Sequence, residues 1–185
     1  YSGASRTALY TLAGDAAGDG FGIAVTAVAD VDSDSHGDLL VGAWKADGTD
    51  PLTLKPLKDA GAAYLYSGQA GSRLATFTGA AKGDYFGFSV AAGSDLDHDA
   101  VPELVIGAYQ HDPLDPVSGK PRSNAGSVYL YAATAPYEPV MTLAGAVKGD
   151  QAGFALAVVD SGLDAFADLL VGVPKAEVVT DKNYK

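Results

Sequence analysis

One pattern occurs three times at a fixed spacing, and it limits the folds open to this chain more than any other feature. Each copy is an acidic segment of nine residues followed at once by an apolar run: Leu-Leu-Val-Gly-Ala, then Leu-Val-Ile-Gly-Ala, then Leu-Leu-Val-Gly-Val. The copies begin at Asp30, Asp95 and Asp160, so the two intervals between successive copies are equal. A long repeat of this kind indicates an array of similar supersecondary units that bury their hydrophobic faces against one another.

The first acidic segment, residues 30–38, has carboxylates at positions 1, 3, 5 and 9: Asp30, Asp32, Asp34 and Asp38. Alternate side chains of an extended or tightly looped backbone turn toward one point, where unpaired carboxylates repel one another strongly. A hard divalent cation that takes about six to eight oxygen ligands removes this repulsion. We expect the backbone carbonyl of His36, at position 7, to complete a calcium site, as in an EF-hand. Ser35 stands where that motif needs glycine, so the segment is not itself an EF-hand.

The composition excludes several classes of partner and site. The chain has 23 acidic and 12 basic residues and a net charge of −11, whereas nucleic acids and anionic membranes attract basic surfaces. It has no cysteine, which excludes disulfides and thiolate metal sites. No stretch reaches the roughly 18 apolar residues of a membrane span, so we expect no membrane insertion. Weak calcium modules belong to the extracellular space, which favours a secreted or cell-surface location.

The alternation of apolar residues with glycine turns predicts four short antiparallel strands in each complete unit. Such units are typical of β-propeller blades, whereas the rungs of a β-solenoid are much shorter than this repeat. We therefore predict an all-β propeller array over residues 1–185, in which the ring is incomplete. It consists of a leading outer strand (residues 1–14), unit 1 (residues 15–79), unit 2 (residues 80–145) and a partial unit 3 (residues 146–185).

The motifs resemble the FG-GAP repeat, the blade of the integrin α-subunit propeller and of many bacterial surface proteins. Phe21-Gly22 and Phe86-Gly87 open the first strands, acidic segments follow, and Leu-Leu-Val-Gly-Ala closes the second strand. In that family the acidic loop binds calcium, which implies three ligand sets here. They are Asp30, Asp32, Asp34, Asp38 and the His36 carbonyl in unit 1; Asp95, Asp97, Asp99, Glu103 and the Val101 carbonyl in unit 2; and Asp160, Asp164 and Asp168 in unit 3. Gly162 replaces one ligand of the third set, so we expect that site to be weaker or empty.

The resemblance also implies that partners bind at the opposite face, which is built from the loops after the second strands. These loops are long here, and they begin with Trp44 and Tyr109. Exposed aromatic residues beside polar groups can anchor a partner. The alternative is that both side chains cover the hydrophobic edge of their own blade.

No sequence motif indicates an enzyme: there is no Gly-x-Ser-x-Gly, no cysteine and no His-Glu-x-x-His. We expect a calcium-stabilised extracellular module that binds or adheres to a protein or glycan. The alternative is a structural subunit of a filament or matrix, in which copies pair through exposed blade edges. An accessory domain of a secreted enzyme is a third interpretation.

Overall fold

The computed structural model describes residues 5, 7–97, 99, 101–159 and 167–176. These residues form strands and contain no helix, and thus none long and apolar enough to cross a bilayer. The predicted all-β fold class is confirmed. The strands are β1 (Phe21–Val28), β2 (Asp38–Ala43), β3 (Gly48–Thr49), β4 (Pro56–Leu57), β5 (Ala62–Tyr66), β6 (Arg73–Thr78), β7 (Phe86–Ala92), β8 (Glu103–Ala108), β9 (Ser127–Ala132), β10 (Pro139–Ala144), β11 (Ala155–Val159) and β12 (Asp168–Gly172).

Two antiparallel sheets of four strands make up most of the structure. Their strand orders are β1-β2-β5-β6 and β7-β8-β9-β10, so each strand pairs with the next principal strand along the chain. A third sheet contains β11 and β12, while β3 and β4 form a small hairpin inside the long loop of unit 1. This arrangement is that of propeller blades, and the described sheets do not close into a ring. The limits of the three units stay a prediction.

The pairing register is the same in both four-stranded sheets. Val41 pairs with Tyr64 in the first sheet, and Ile106 pairs with Tyr129 in the second. Val41 is separated from Ile106, and Tyr64 from Tyr129, by the same interval that separates Asp30 from Asp95. The sequence repeat is therefore also a repeat of strand register.

The hydrophobic core lies between successive sheets. One cluster joins Leu40 and Leu65 of the first sheet to Leu104 and Ile106 of the second. Phe86, only 1% exposed, belongs to the same cluster. A further cluster places Leu156, Val171 and other residues of the third sheet against the second. Each sheet thus provides the surface on which the next one packs.

Residues 7–14 differ from the predicted leading strand, because they pair in no sheet within the described part of the chain. They lie against the first sheet instead: Leu12 packs beside Tyr64 and Tyr66, and the Tyr10 hydroxyl donates a hydrogen bond to the Gly68 carbonyl (2.9 Å). Asp15 then accepts a 2.6 Å hydrogen bond from Arg73. The physical reason is that an outer strand forms only beside a third strand of its own sheet, and no described strand takes that place beside residues 7–14.

Glycines at one position of the second strands permit close contact between sheets. A Cβ atom added to Gly42 would overlap the Gly87 carbonyl oxygen of the next sheet, and one added to Gly107 would overlap that of Gly153. The equivalent Gly172 differs, since its added Cβ would come no closer than 3.1 Å to its nearest neighbour, the Cβ of Ala155. The first two glycines are therefore required by packing between sheets.

We predict that Gly42→Ala and Gly107→Ala each lower the free energy of unfolding by about 1–3 kcal/mol, because the added methyl group forces two backbones apart. Gly172→Ala, in the same register of β12, is the matched control with a smaller effect. Urea unfolding of the three variants measures the difference. Equal losses at all three positions would contradict the proposed close contact.

Candidate metal centre

The strand topology places the acidic segments and the long loops at opposite ends of the sheets. Acidic loop 1 (residues 30–38) joins β1 to β2, and acidic loop 2 (residues 95–103) joins β7 to β8. The long loops, residues 44–61 and 109–126, leave from the other ends of β2 and β8. Units 1 and 2 therefore each have an anionic end and a second end of different chemistry.

In acidic loop 1, the structure brings three predicted ligands together. Carboxylate oxygens of Asp30, Asp32 and Asp38 lie within 4.8 Å of one another. Backbone N–H groups of the loop donate hydrogen bonds to these carboxylates. The Asp34 N–H donates to Oδ1 of both Asp30 and Asp32, each at 3.1 Å. The Ser35 N–H donates to the other oxygen of Asp30 at 2.8 Å. The loop backbone thus holds the carboxylates in place.

The side chain of Asp34 lies outside this group of three. Its Oδ2 accepts a hydrogen bond from the Ser67 hydroxyl (3.0 Å), and its Oδ1 accepts one from the His36 N–H (2.8 Å). Asp34 thereby ties the loop to the turn after β5. Its role as a ligand, and that of the His36 carbonyl, stay predictions.

Asp38 has a structural role that is independent of any metal. The residue is 1% exposed, and its two oxygens accept hydrogen bonds from the N–H groups of Val31 and Gly68, both at 2.9 Å. These bonds connect the start of β2 with the acidic loop and with the turn between β5 and β6. Such charge-assisted bonds make the burial of this carboxylate favourable.

In acidic loop 2, all four predicted carboxylates come together. Oxygens of Asp95, Asp97, Asp99 and Glu103 lie within 4.8 Å of one another. The Asp99 N–H donates to Asp95 and Asp97, at 3.2 and 3.3 Å, as Asp34 does in the first loop. The Val101 N–H donates to Asp99 at 2.8 Å, and the use of its carbonyl as a ligand stays a prediction.

Glu103 is the residue of this loop that most directly indicates a cation-binding site. It is 0% exposed, and its Oε2 accepts a hydrogen bond from the Leu96 N–H, whereas its buried Oε1 has no hydrogen-bond partner. Burial raises the pKa of Glu103; the bond from Leu96 opposes this, and the charges of the neighbouring aspartates add to it. A bound divalent cation would supply the partner that this oxygen lacks. The residues present therefore fit a metal ion.

The third predicted site is only partly described. Asp160 and Asp164 lie outside the described residues, and Asp168 is the first residue of β12, where it is partly exposed. The contribution of all three residues to a metal site stays a prediction.

Aromatic side chains form a connected cluster at the other end of the sheets. Trp44 contacts Tyr85 and Phe88, with ring centroids 4.9 and 5.7 Å apart. Phe88 in turn contacts Tyr109 at 4.5 Å and Phe154 at 5.1 Å. Trp44 is half-buried, Tyr109 is 9% exposed and Phe154 is 40% exposed. This aromatic cluster spans all three units.

Sequence reasoning singled out Trp44 and Tyr109 but missed the part played by Tyr85, Phe88 and Phe154 in the cluster. The sequence does contain a signal for two of them, because Phe88 and Phe154 each come directly after the second glycine of a Gly-Asp-x-x-Gly motif. Their equivalent positions place them beside each other at adjacent first strands. Tyr85 carried no such repeat signal, since Gly20 and Gln151 occupy its equivalent positions.

Comparison with known proteins identifies the repeat. Residues 86–131 match the FG-GAP repeat family model, from the start of β7 to Tyr131 in β9. This part of the chain is therefore similar to an FG-GAP repeat. The FG-GAP match contains acidic loop 2, the long loop after β8 and two positions of the aromatic cluster.

Two integrin α chains are similar to about half of the protein. Integrin alpha-6 of Homo sapiens is 33% identical over 90 residues, which are 48% of this chain. Integrin alpha-PS2 of Drosophila melanogaster is 31% identical over a match of 102 residues that covers 50% of this chain. In each case the match spans 7% of the length of the integrin chain. The similarity therefore concerns about half of this chain and a small part of either relative.

We predict opposite effects for two substitutions at the last carboxylate of each acidic loop, both measured in chelator. Glu103→Gln should raise the free energy of unfolding by about 1–3 kcal/mol, because it removes a buried charge with one unpartnered oxygen. Asp38→Asn should lower it by about 1–3 kcal/mol, because an amide group would meet a backbone N–H donor. Urea unfolding followed by Trp44 fluorescence provides the measurement. Destabilisation by both substitutions would contradict the unpartnered state of Glu103.

Proposed function

We propose that this chain is a calcium-stabilised, non-enzymatic extracellular module that binds a protein or glycan partner. The observation that carries the proposal is the connected aromatic cluster at the end of the sheets opposite the two acidic loops. The similarity to integrin α chains supports an adhesive role outside the cell. In this proposal the cations stabilise the scaffold, and the aromatic cluster contacts the partner.

The donor chemistry supports calcium as the cation. Acidic loops 1 and 2 offer carboxylate oxygens, which are hard ligands, whereas zinc sites are built mainly from histidine and cysteine. Calcium accepts an irregular set of oxygens, while magnesium demands nearly ideal octahedral geometry. Residues Asp95, Asp97, Asp99 and Glu103 would hold one ion, and Asp30, Asp32 and Asp38 would hold the other, with Asp34 joining after a change of rotamer.

Calcium should raise the thermal unfolding temperature of the chain relative to chelator. A ligand that binds only the folded state at 100 times its Kd stabilises that state by about 2.7 kcal/mol per site. The shift should fall in Asp32→Ala and in Asp97→Ala, and it should disappear when both are combined. Calorimetry with and without excess calcium measures it.

Glu138→Ala is the control for this experiment, because it removes an exposed carboxylate that lies outside both acidic loops. It should keep the full calcium shift. If millimolar calcium does not stabilise the parent chain, the acidic loops are solvated turns and the calcium part of the proposal fails.

The aromatic cluster has the composition of a binding surface. Aromatic side chains combine a large apolar area with little conformational freedom, and they are enriched at binding hot spots. Trp44 presents part of its ring to solvent, and the Lys45 ammonium group lies 4.5 Å from the ring centroid. Tyr109 is almost fully buried, so in this proposal it packs against Phe88 and Tyr85 and holds them in place.

A buried polar contact in unit 2 supports a non-enzymatic role. Ser127 Oγ and His111 Nδ1 are 2.8 Å apart, and burial raises the pKa of Asp84, an effect that the nearby His111 ring opposes. Ser, His and Asp are the residue types of a hydrolytic triad. Ser127, however, is 0% exposed, so its hydroxyl group is closed to a substrate. This contact is better interpreted as part of the packing within unit 2, where the His111 ring also lies against Tyr129.

Trp44→Ala should weaken binding to extracellular partners by about tenfold or more, as expected for the loss of an aromatic hot spot. The probes are an immobilised extracellular-matrix extract and a glycan array, which distinguish the two partner classes. Because Trp44 is the single tryptophan of the chain, a change in its fluorescence during titration reports contact at this position.

Leu52→Ala is the matched control, since Leu52 belongs to the same long loop and is 91% exposed without belonging to the cluster. It should leave binding unchanged. Equal binding by the parent chain and Trp44→Ala would exclude the aromatic cluster as the partner surface.

The second candidate is a structural subunit of an extracellular filament or matrix, in which copies pair through open edges. The observation that favours it is β12, which pairs only with β11 among the described residues. An unpaired strand edge is a template for strand addition. Polymers whose mass grows with concentration would favour this function, and discrete monomers that bind a partner would favour the first.

A further inference from the structure

A polar pocket of about 360 Å³ lies in unit 1, between the turn before β1 and the two ends of the long loop. Four aspartates and two lysines belong to its wall, which gives it an excess of negative charge: Asp15, Asp19, Asp47, Asp59, Lys45 and Lys58. Tyr64 also lines the pocket. Burial and the negative charge of Asp15 raise the pKa of the Tyr64 hydroxyl to about 12, although the charge of Arg73 opposes this. These charges favour a positively charged group in the pocket.

Backbone hydrogen bonds fix two carboxylates of the wall. The Ala16 N–H donates to Asp19 at 2.9 Å, and the Asp59 N–H donates to Asp47 at 2.8 Å. The second of these bonds joins the two ends of the long loop, since Asp47 lies before β3 and Asp59 lies after β4. The pocket is therefore built from residues of unit 1 whose positions are set within that unit.

The equivalent part of unit 2 has the same scaffold. The Ala81 N–H donates to Asp84 at 2.8 Å, and the Asn124 N–H donates to Asp112 at 2.6 Å. By the interval of the repeat, these four residues correspond to Ala16, Asp19, Asp59 and Asp47. The two units can therefore be compared position by position.

In unit 2 the imidazole ring of His111 lies among these equivalent residues. Its centroid is 5.9 Å from that of Tyr129, and its Nδ1 is 2.8 Å from Ser127 Oγ. Burial raises the pKa of Asp84, and the charge of His111 opposes that increase, so the ring and the carboxylate attract each other. One repeat earlier, Ala46 stands at the position of His111 and lines the pocket. The pocket in unit 1 therefore exists because a methyl group replaces an imidazole ring.

We propose that the pocket of unit 1 binds an imidazolium ring, supplied by a small free cation or by a histidine side chain of a partner. The bound ring lies beside Asp19, Asp47 and Tyr64, as the His111 ring lies beside their counterparts in unit 2. Its size is suitable, because cavities of about 150 Å³ already accept benzene, which is a larger ring. The proposal goes beyond the proposed function, since the pocket lies outside both the aromatic cluster and the acidic loops.

Titration of the full chain with imidazole at about pH 6, where the ring is mostly protonated, tests the proposal by NMR. Binding should be saturable, and nuclear Overhauser effects should connect the imidazole protons to the Ala46 methyl group. Pyrazole, an uncharged ring of the same size, should bind about tenfold more weakly. Absence of saturable imidazole binding, or contacts at the acidic loops alone, would overturn the proposal.

A Gly-His-Gly peptide with blocked ends distinguishes the two sources of the ring. Tighter binding of the peptide than of imidazole would support the proposal with a histidine of a partner as the ligand. Weaker binding of the peptide would support it with a small free cation as the ligand. In both cases the contact with the Ala46 methyl group is the required signal.

Exchange of the residues at the two equivalent positions tests the comparison between the units. Ala46→His gives unit 1 the side chain that unit 2 has, so it should abolish imidazole binding. Ala46→Ser is the matched control, because a small side chain leaves the pocket open and should preserve binding. His111→Ala should open a second pocket and raise the number of bound imidazole molecules from one to two. Equal binding by the two Ala46 variants, or a single bound molecule in His111→Ala, would overturn the proposal.

Asp47→Asn tests the charge of the pocket without changing its volume. The amide oxygen still accepts the hydrogen bond from the Asp59 N–H, but one negative charge is lost, so imidazole binding should weaken by about tenfold. Asp50→Asn is the control: Asp50 belongs to the same long loop and accepts a backbone hydrogen bond from Leu52 (2.8 Å), but it does not line the pocket. Equal effects of the two variants would overturn the proposal. The assay needs neither calcium nor a macromolecular partner, so its outcome is independent of the proposed function.

Discussion

Close contact between the backbones of successive sheets is the constraint on which the structure depends. The Phe86 N–H donates to the Ala60 carbonyl at 3.0 Å, and the Ala152 N–H donates to the Ala125 carbonyl at 2.9 Å. These bonds connect the first strand of one unit to the end of the long loop of the unit before it. They are possible because glycine and alanine occupy the facing positions. The close approach of the backbones thus allows each sheet to pack on the next.

Close contact between sheets also determines what each end of a unit can do. The acidic loops lie at one end of the sheets. Backbone N–H groups orient the carboxylates there but leave Glu103 Oε1 without a hydrogen-bond partner. At the other end, the ring centroids of Phe88, in β7, and Phe154, just before β11, lie 5.1 Å apart. Charge therefore collects at one end and aromatic surface at the other, although neither forms from a single continuous segment of the sequence.

The fold class and two of the acidic clusters could be predicted from the sequence, because both depend on spacing. A regular repeat of glycine, apolar and acidic positions constrains strand order and register together. The roles of individual side chains were less accessible. Asp34 and Asp38 have the same chemistry in the sequence, but neighbours from the turn after β5 direct one away from the cluster and bury the other. The sequence could not show this, because those neighbours are distant along the chain.

The contacts between units run in one direction along the chain. A unit contacts the unit before it through the start of its first strand, and it contacts the unit after it through its long loop and outer strands. The equivalent residues form these contacts one repeat later. Duplication of such a segment would therefore create a new interface that already has its hydrogen bonds and its packing. An array of this kind can change its length during evolution without redesign of any junction, and differences between units can then accumulate in the loops.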